Sequence, residues 1–252
     1  MLKLRIIPTM LYKSEQLVKG EGFDSWRRVG SAMQAIKVYN LREVDELIFV
    51  DIAATNEGRE PDYAMIDELA DECFMPLTVG GGISSVEHVR KLLSVGADKV
   101  AIGTAALEDP SLVGAVAQRF GSQCIVVSID FRRLADGTPI VCTHSGARRT
   151  ERDPVELARE FAHLGAGEIL LTSIERDGTM VGYDVELTRR VADAVGIPVI
   201  ASGGAGKYDH MLDVVKRGHA AAIAAGAIFH FTEQTPMEAK RFLAKNGIAT
   251  RV

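Results

Sequence analysis

The sequence has no surplus of positive charge. Its 29 lysines and arginines stand against 34 aspartates and glutamates, a formal net charge of -5 over 252 residues. A nucleic-acid binder normally shows a basic stripe or excess, so that class is set aside. No apolar run approaches the ~20 residues that cross a bilayer, and no membrane role is expected. The opening stretch MLKLRIIPTMLYKSEQ has no apolar block followed by a small-residue cleavage site, so no signal peptide is expected. Cysteine is scarce. Cys73, Cys124 and Cys142 are odd in number and far apart, which argues against a disulfide framework and for a reducing cytoplasm. The six histidines are scattered, with no His-Glu-x-x-His and no cysteine pair at zinc spacing. Neither a Walker A nor a dinucleotide fingerprint is present, so no metal and no cofactor is expected. No Pro/Ser-rich linker divides the chain.

What is present is a rhythm. Short apolar runs at Leu4–Ile7, Leu47–Ile52, Leu77–Val79, Lys99–Ile102, Cys124–Ile129, Glu168–Ser173, Val199–Ser202 and Ala221–Ala225 alternate with stretches of helical spacing. Ser84 and Glu87 resemble a capping box, while Asp109-Pro110, Asp153-Pro154 and Thr235-Pro236 each place a capping residue before a proline. Gly96, Gly121, Gly165, Gly196, Gly218 and Gly247 read as helix ends. Eight strands with eight helices, continuous past the midpoint, predict one (β/α)8 barrel, an α/β fold over residues 1–252. An open doubly wound sheet is the runner-up.

Met75-Pro76-Leu77-Thr78-Val79-Gly80-Gly81-Gly82 recurs 122 residues later as Ile197-Pro198-Val199-Ile200-Ala201-Ser202-Gly203-Gly204. At the same offset Glu46 falls on Glu168, His88 on His210 and Gly96 on Gly218. The barrel is therefore expected to contain two half-barrels, roughly 1–121 and 122–252. Glycine tracts after strands three and seven, joined by Ile102-Gly103-Thr104-Ala105 and Ala224-Ala225-Gly226-Ala227, suit backbone anion cradles at the C-terminal face. One cradle per half predicts an elongated ligand with two anionic ends. Tight βα turns alone would use the same glycines.

Carboxylates at strand ends are the acid/base candidates: Asp51, Asp130 and Asp177. Each alone also reads as a helix cap or a loop ion pair. Asp130 is the strongest, because it directly follows Ile125–Ile129. His144, in the loop after strand five, is a weaker candidate. Arg5, Glu46, Lys99 and Glu168 stand at strand starts and would form a charged ring at the barrel bottom, where polar residues also serve stability alone.

The whole chain resembles the HisF family, the cyclase subunit of imidazole glycerol phosphate synthase. The most specific segments are Val79–Ile83, Gly121–Gln123, Gly165–Ile174, Asp177–Thr179 and Ile200–Lys207. The resemblance implies a HisH-like glutaminase partner whose ammonia passes through the barrel. It makes Arg5, Glu46, Lys99 and Glu168 the gate of that passage, and Asp98 a contact with the glutaminase. Lys19 matches a mobile loop that closes over substrate, and Asp51 a substrate contact. Phosphate positions fall on Gly82 and Thr104 at one end. At the other they fall on Asp177, Gly178, Ser202, Gly203, Gly204, Ala225 and Gly226.

Two positions depart from the family. Its two cyclase aspartates correspond to Asp130 and to Leu11, and leucine moves no proton. Its asparagine in the first phosphate site is Gly103. Segments at Val44–Ile48, Glu57–Asp62, Glu72–Pro76 and Thr143–Gly146 resemble a paralogous WbuZ-type branch, associated with glycosyl amidation in surface-polysaccharide loci. That branch implies an ammonia-receiving subunit, working with a separate sugar amidotransferase on a phosphorylated or nucleotide-sugar molecule. The alternatives are a working cyclase of histidine biosynthesis and a non-catalytic activator of the glutaminase.

Overall fold

A computed structural model describes residues 3–252. Eight parallel strands close on themselves: β1 (Arg5–Lys13), β2 (Leu47–Asp51), β3 (Leu77–Gly80), β4 (Lys99–Ile102), β5 (Ile125–Arg133), β6 (Glu168–Ser173), β7 (Val199–Ser202) and β8 (Ala222–Ala225). Each strand pairs with the next, and β8 returns to β1 with Arg5 opposite Ala222 and Pro8 opposite Ala225. The protein is a single-domain (β/α)8 barrel, as the alternation of runs predicts.

Two strands run past the barrel. β1 continues into an antiparallel hairpin, Gln16–Glu21 with Asp24–Gly30. β5 continues to Arg133 and folds back through Pro139–Thr143, with Asp130 opposite Cys142. Both extensions lie beyond the apolar runs that mark the strands in sequence. Eight helices of eight or more residues cover the barrel. Three shorter ones, Ala54–Glu57, Thr104–Glu108 and Ala227–Phe231, follow β2, β4 and β8 and lie outside the predicted count.

The caps are partly as expected. Asp153 accepts from the Val155 and Glu156 amides, and Thr235 with Glu238 forms a reciprocal capping box. The expected box at Ser84 and Glu87 is corrected: Ser85 is the cap and accepts from the His88 amide. Asp109 accepts from the Ser111 amide but stands one residue before the cap position, which Pro110 occupies. Gly96, Gly121, Gly165 and Gly247 take positive φ after helices, but Gly196 and Gly218 do not; His219, at φ 55°, makes the turn beside Gly218.

Strand alternation sorts the interior into layers, because every second residue points inward. Along β1 the inward series is Arg5, Ile7, Thr9, Leu11. Around β2 it is Glu46, Ile48, Val50, and along β6 Glu168, Leu170, Thr172. Charge lies at the bottom, an apolar cluster including Ile7, Ile48, Ala101, Val126, Leu170 and Ile200 fills the middle, and small polar groups reach the top. The outward residues, such as Leu47, Phe49, Val100, Ile169 and Leu171, join the larger core under the helices.

Candidate functional site

The mouth of the barrel at the C-terminal strand ends holds a central cavity of about 110 Å³, lined by Leu11, Ile48, Val50, Asp130, Thr172 and Asp177 among others. Asp130 reaches it from β5, enclosed by protein on its other sides. Burial pushes its pKa up to about 7, against hydrogen bonds from Ser128 and Thr172 and with help from the charge of Asp177. The Ser128 hydroxyl donates to Asp130 Oδ1 at 3.4 Å. Asp130 thus sits where a general acid or base is poised near neutral pH. Leu11 lines the same cavity, and its β-partner Val50 extends the apolar wall.

The other two carboxylates are committed to structure. Asp51 Oδ1 accepts from the Ala53 and Ala54 amides at 3.0 and 3.1 Å, and Oδ2 holds both terminal nitrogens of Arg59 at 3.2 Å. Asp51 thus makes the cap and loop ion pair that are the alternative reading of a strand-end acid. Asp177 accepts from Lys19, which is only 2% exposed. The pair ties the hairpin Gln16–Gly30 across the mouth, assisted by the Gly22 amide on the Asp177 carbonyl at 2.8 Å. Gly178 lies so close under the hairpin that a Cβ would come 2.0 Å from the Gly20 carbonyl oxygen.

The two glycine cradles are built alike. Gly81 and Gly203 have φ of 102° and 88°, and a Cβ there would meet the carbonyl oxygens of Asp51 and Ser173 at 2.2 and 2.5 Å. His88 Nδ1 accepts from the Ser84 amide and His210 Nδ1 from the Gly206 amide, each at 3.3 Å. The repeat seen in the sequence is thus a repeat of contacts. The cradles differ in room. The first, with Gly82, Gly103 and Thr104, opens into about 240 Å³. The second, formed by Ser202, Gly203, Gly204, Ala225 and Gly226, holds about 10 Å³, space for one water. His144 lies at the edge of the first cradle: its amide donates to Thr104 Oγ1 at 2.9 Å, and its Nε2 is 3.8 Å from Glu108.

At the opposite end the four charged residues form a closed ring. Arg5 reaches Glu46 at 2.7 Å and Glu168 at 3.0 Å; Lys99 reaches the same two at 3.0 and 3.1 Å. Burial works against the Arg5 charge, and the two glutamates outweigh it and raise its pKa. The buried Thr78 hydroxyl donates to Glu46 at 2.8 Å. Asp98 is exposed on this face, its carboxylate accepting from the Leu77 amide at 2.8 Å.

Sequence reasoning missed Ser128, Thr172, Thr78, Arg59 and Trp26. The first three sit inside apolar runs; alternation from Glu168 would have marked Thr172 as inward and alternation from Asp130 would have marked Ser128, while Thr78 has no charged residue on its own strand to count from. Arg59 lies on a loop, and Trp26 on the hairpin strand Asp24–Gly30, neither with an apolar periodic signal. Among the described residues no group of three His, Cys, Asp or Glu could hold a metal ion, and the three cysteines are free. No helix is long and apolar enough to cross a membrane among the described residues. A sequence model of the family described as Histidine biosynthesis protein matches residues 5–235.

Proposed function

The chain belongs to this family of histidine biosynthesis proteins, whose members are isomerases or cyclases, and from that premise we propose that it is a HisF-like barrel subunit receiving ammonia from a HisH-like glutaminase. The ammonia serves amidation of an amino sugar, as in surface-polysaccharide synthesis, together with a separate amidotransferase. One observation carries the reading: Leu11 faces the cavity that holds Asp130, while the charged ring beneath is complete. A cyclase that divides proton transfers between two carboxylates has lost one of them here, and loss of such a group typically lowers rates about 10²–10⁴-fold.

The layers suit passage of a small neutral base. Ammonium sheds its hydration only at high cost in an apolar passage, whereas ammonia crosses it readily. The ring of Arg5, Glu46, Lys99 and Glu168 bars the bottom, and the layer around Ile7, Ile48 and Leu170 follows. Asp130 at the top, with its pKa near neutrality, accepts a proton released when ammonia adds to an acceptor. Asp98 lies on the face where the glutaminase would dock.

The family match and Asp130 favour a second reading, the cyclase of histidine biosynthesis. The deciding measurement is cyclase turnover with the histidine-pathway ribulosyl nucleotide and excess ammonium, which needs no glutaminase. We expect none from folded protein. Turnover near ordinary enzyme rates, of order 1–10³ per second, would overturn the amidation reading.

A further inference from the structure

A further cavity at the mouth lies outside both cradles. It measures about 410 Å³ and opens between the lid hairpin, the turn after β2 and the hairpin that extends β5. Phe23, Trp26, Ile52 and Ser145 line both this outer cavity and the central one, so the two adjoin.

Four charged side chains face the outer cavity: Lys13, Asp24, Glu57 and Arg132. One of the two acids is ion-paired and the other accepts only a backbone amide. Glu57 holds Arg59 at 2.6 Å, and Asp24 accepts the Ser25 amide at 2.7 Å. The two cations have no carboxylate partner among the described residues. Lys13 Nζ lies 5.9 Å from the Trp26 ring centre, and Arg132 donates only to the Gly22 carbonyl, at 3.3 Å. Two half-buried cations without an ion-pair partner among the described residues, against one exposed acid likewise without one, Asp24, leave the cavity with a surplus of positive charge that favours an anion, and a guanidinium with an ammonium suits adjoining phosphates.

The inner end has a different character. Leu11, Val50 and Ile52 make one apolar wall, and Ser128, Thr172 and Ser202 offer hydroxyls. A pyranose ring has matching surfaces, C–H groups on its faces and hydroxyls around its edge. Trp26 stands where the two cavities meet, and aromatic faces pack well against sugar C–H groups.

We propose that the outer cavity is a subsite for the diphosphate of a diphosphate-linked sugar, held by Lys13 and Arg132, with the sugar ring seated inward against Trp26 and beside Asp130. The proposal rests on the sugar-acceptor reading and specifies the form of the acceptor. Its anion is recognised by side chains, apart from the two glycine cradles. The nucleoside or other diphosphate substituent extends outward through the open side of the cavity.

Trp26 is the single tryptophan of the chain and so reports directly on the junction. The test titrates the isolated chain with UDP-N-acetylglucosamine and GDP-mannose while following tryptophan fluorescence and the melting temperature. Both probes are run against inorganic pyrophosphate and free N-acetylglucosamine. We expect a saturable fluorescence change and thermal stabilisation with at least one nucleotide sugar, competition by pyrophosphate, and much weaker binding of the free sugar. Lys13→Met and Arg132→Gln should each weaken binding at least about tenfold, which corresponds to ~1.4 kcal/mol. Arg132 also bonds the hairpin, so Lys13→Met, away from that bond, guards against a folding artefact. Absence of saturable binding by both nucleotide sugars would overturn the proposal. So would unchanged affinity in both variants, or free sugar binding as tightly as its diphosphate form. No glutaminase or ammonia enters this measurement. Binding without glutamine-dependent amidation would keep the subsite and remove the ammonia reading; amidation without such binding would do the reverse.

Discussion

Asp130 is an acid that the barrel holds largely protonated up to neutral pH. Its cost to stability has a definite direction. Below about pH 4 the carboxyl is protonated in both folded and unfolded chains and costs nothing. Between pH 4 and about 7 the unfolded chain ionises while the folded one keeps its proton, so stability falls as pH rises; above 7 the loss is complete. Asp130→Asn should therefore gain stability over the parent as pH rises from 4 to 8, measured by urea unfolding across that range. A difference that is flat in pH would mean the carboxyl is not held protonated. Asp130 was legible in the sequence because it ends an apolar run. Its hydrogen-bond partners Ser128 and Thr172 were not, because a small hydroxyl within a buried strand looks like a substitute for alanine or valine. Asp51 was legible as a strand-end acid that could also anchor a loop, but its partner was not, since Arg59 comes from a loop whose path no local pattern predicts.

At the level of elements, the glycine turns after β3 and β7 carry the repeat. Gly81 and Gly203 combine positive φ with backbone contact too close for any side chain. Replacing either by alanine should destabilise the protein by about 2–4 kcal/mol, with similar values for the two because each presses on the strand before it. Chemical denaturation checks this. A loss below about 1 kcal/mol at either site would show that the turn relaxes readily. These turns were visible in the sequence as duplicated Gly-Gly pairs. The lid hairpin was not: Asp24–Gly30 is mostly exposed and charged, and its pairing depends on β1 running past the barrel rim. Its anchor is a tertiary ion pair between Lys19 and Asp177, which local periodicity does not report.

Across the whole molecule, the layered interior makes the bottom ring a cooperative unit. Each cation touches both glutamates, so removing one leaves two acids on the other. Lys99→Met should cost about 3 kcal/mol, as removal of one partner from a buried pair commonly does. Adding Glu46→Gln should recover part of that loss, a coupling read from the double-mutant cycle. Strict additivity would show that the four charges act independently. The fold was readable at this scale because eight strand–helix units of similar length have few ways to bury their apolar faces. The position of each charge in a layer follows from counting by twos along the strands.

The seam between β1 and β8 joins the first strand to the last. It is reinforced late in the chain: Leu4 donates to the Ala249 carbonyl at 2.7 Å, and the buried Lys240 reaches Asp45 at 2.9 Å and the Glu43 carbonyl at 2.7 Å. During synthesis on the ribosome, β1 emerges before the other barrel strands and must wait for β8 before its outer edge is paired. An exposed strand edge of that kind invites mispairing. The growing barrel therefore stays open until β8 has been made, and its most vulnerable interval is the one in which a single missing strand separates an unfinished sheet from a closed one.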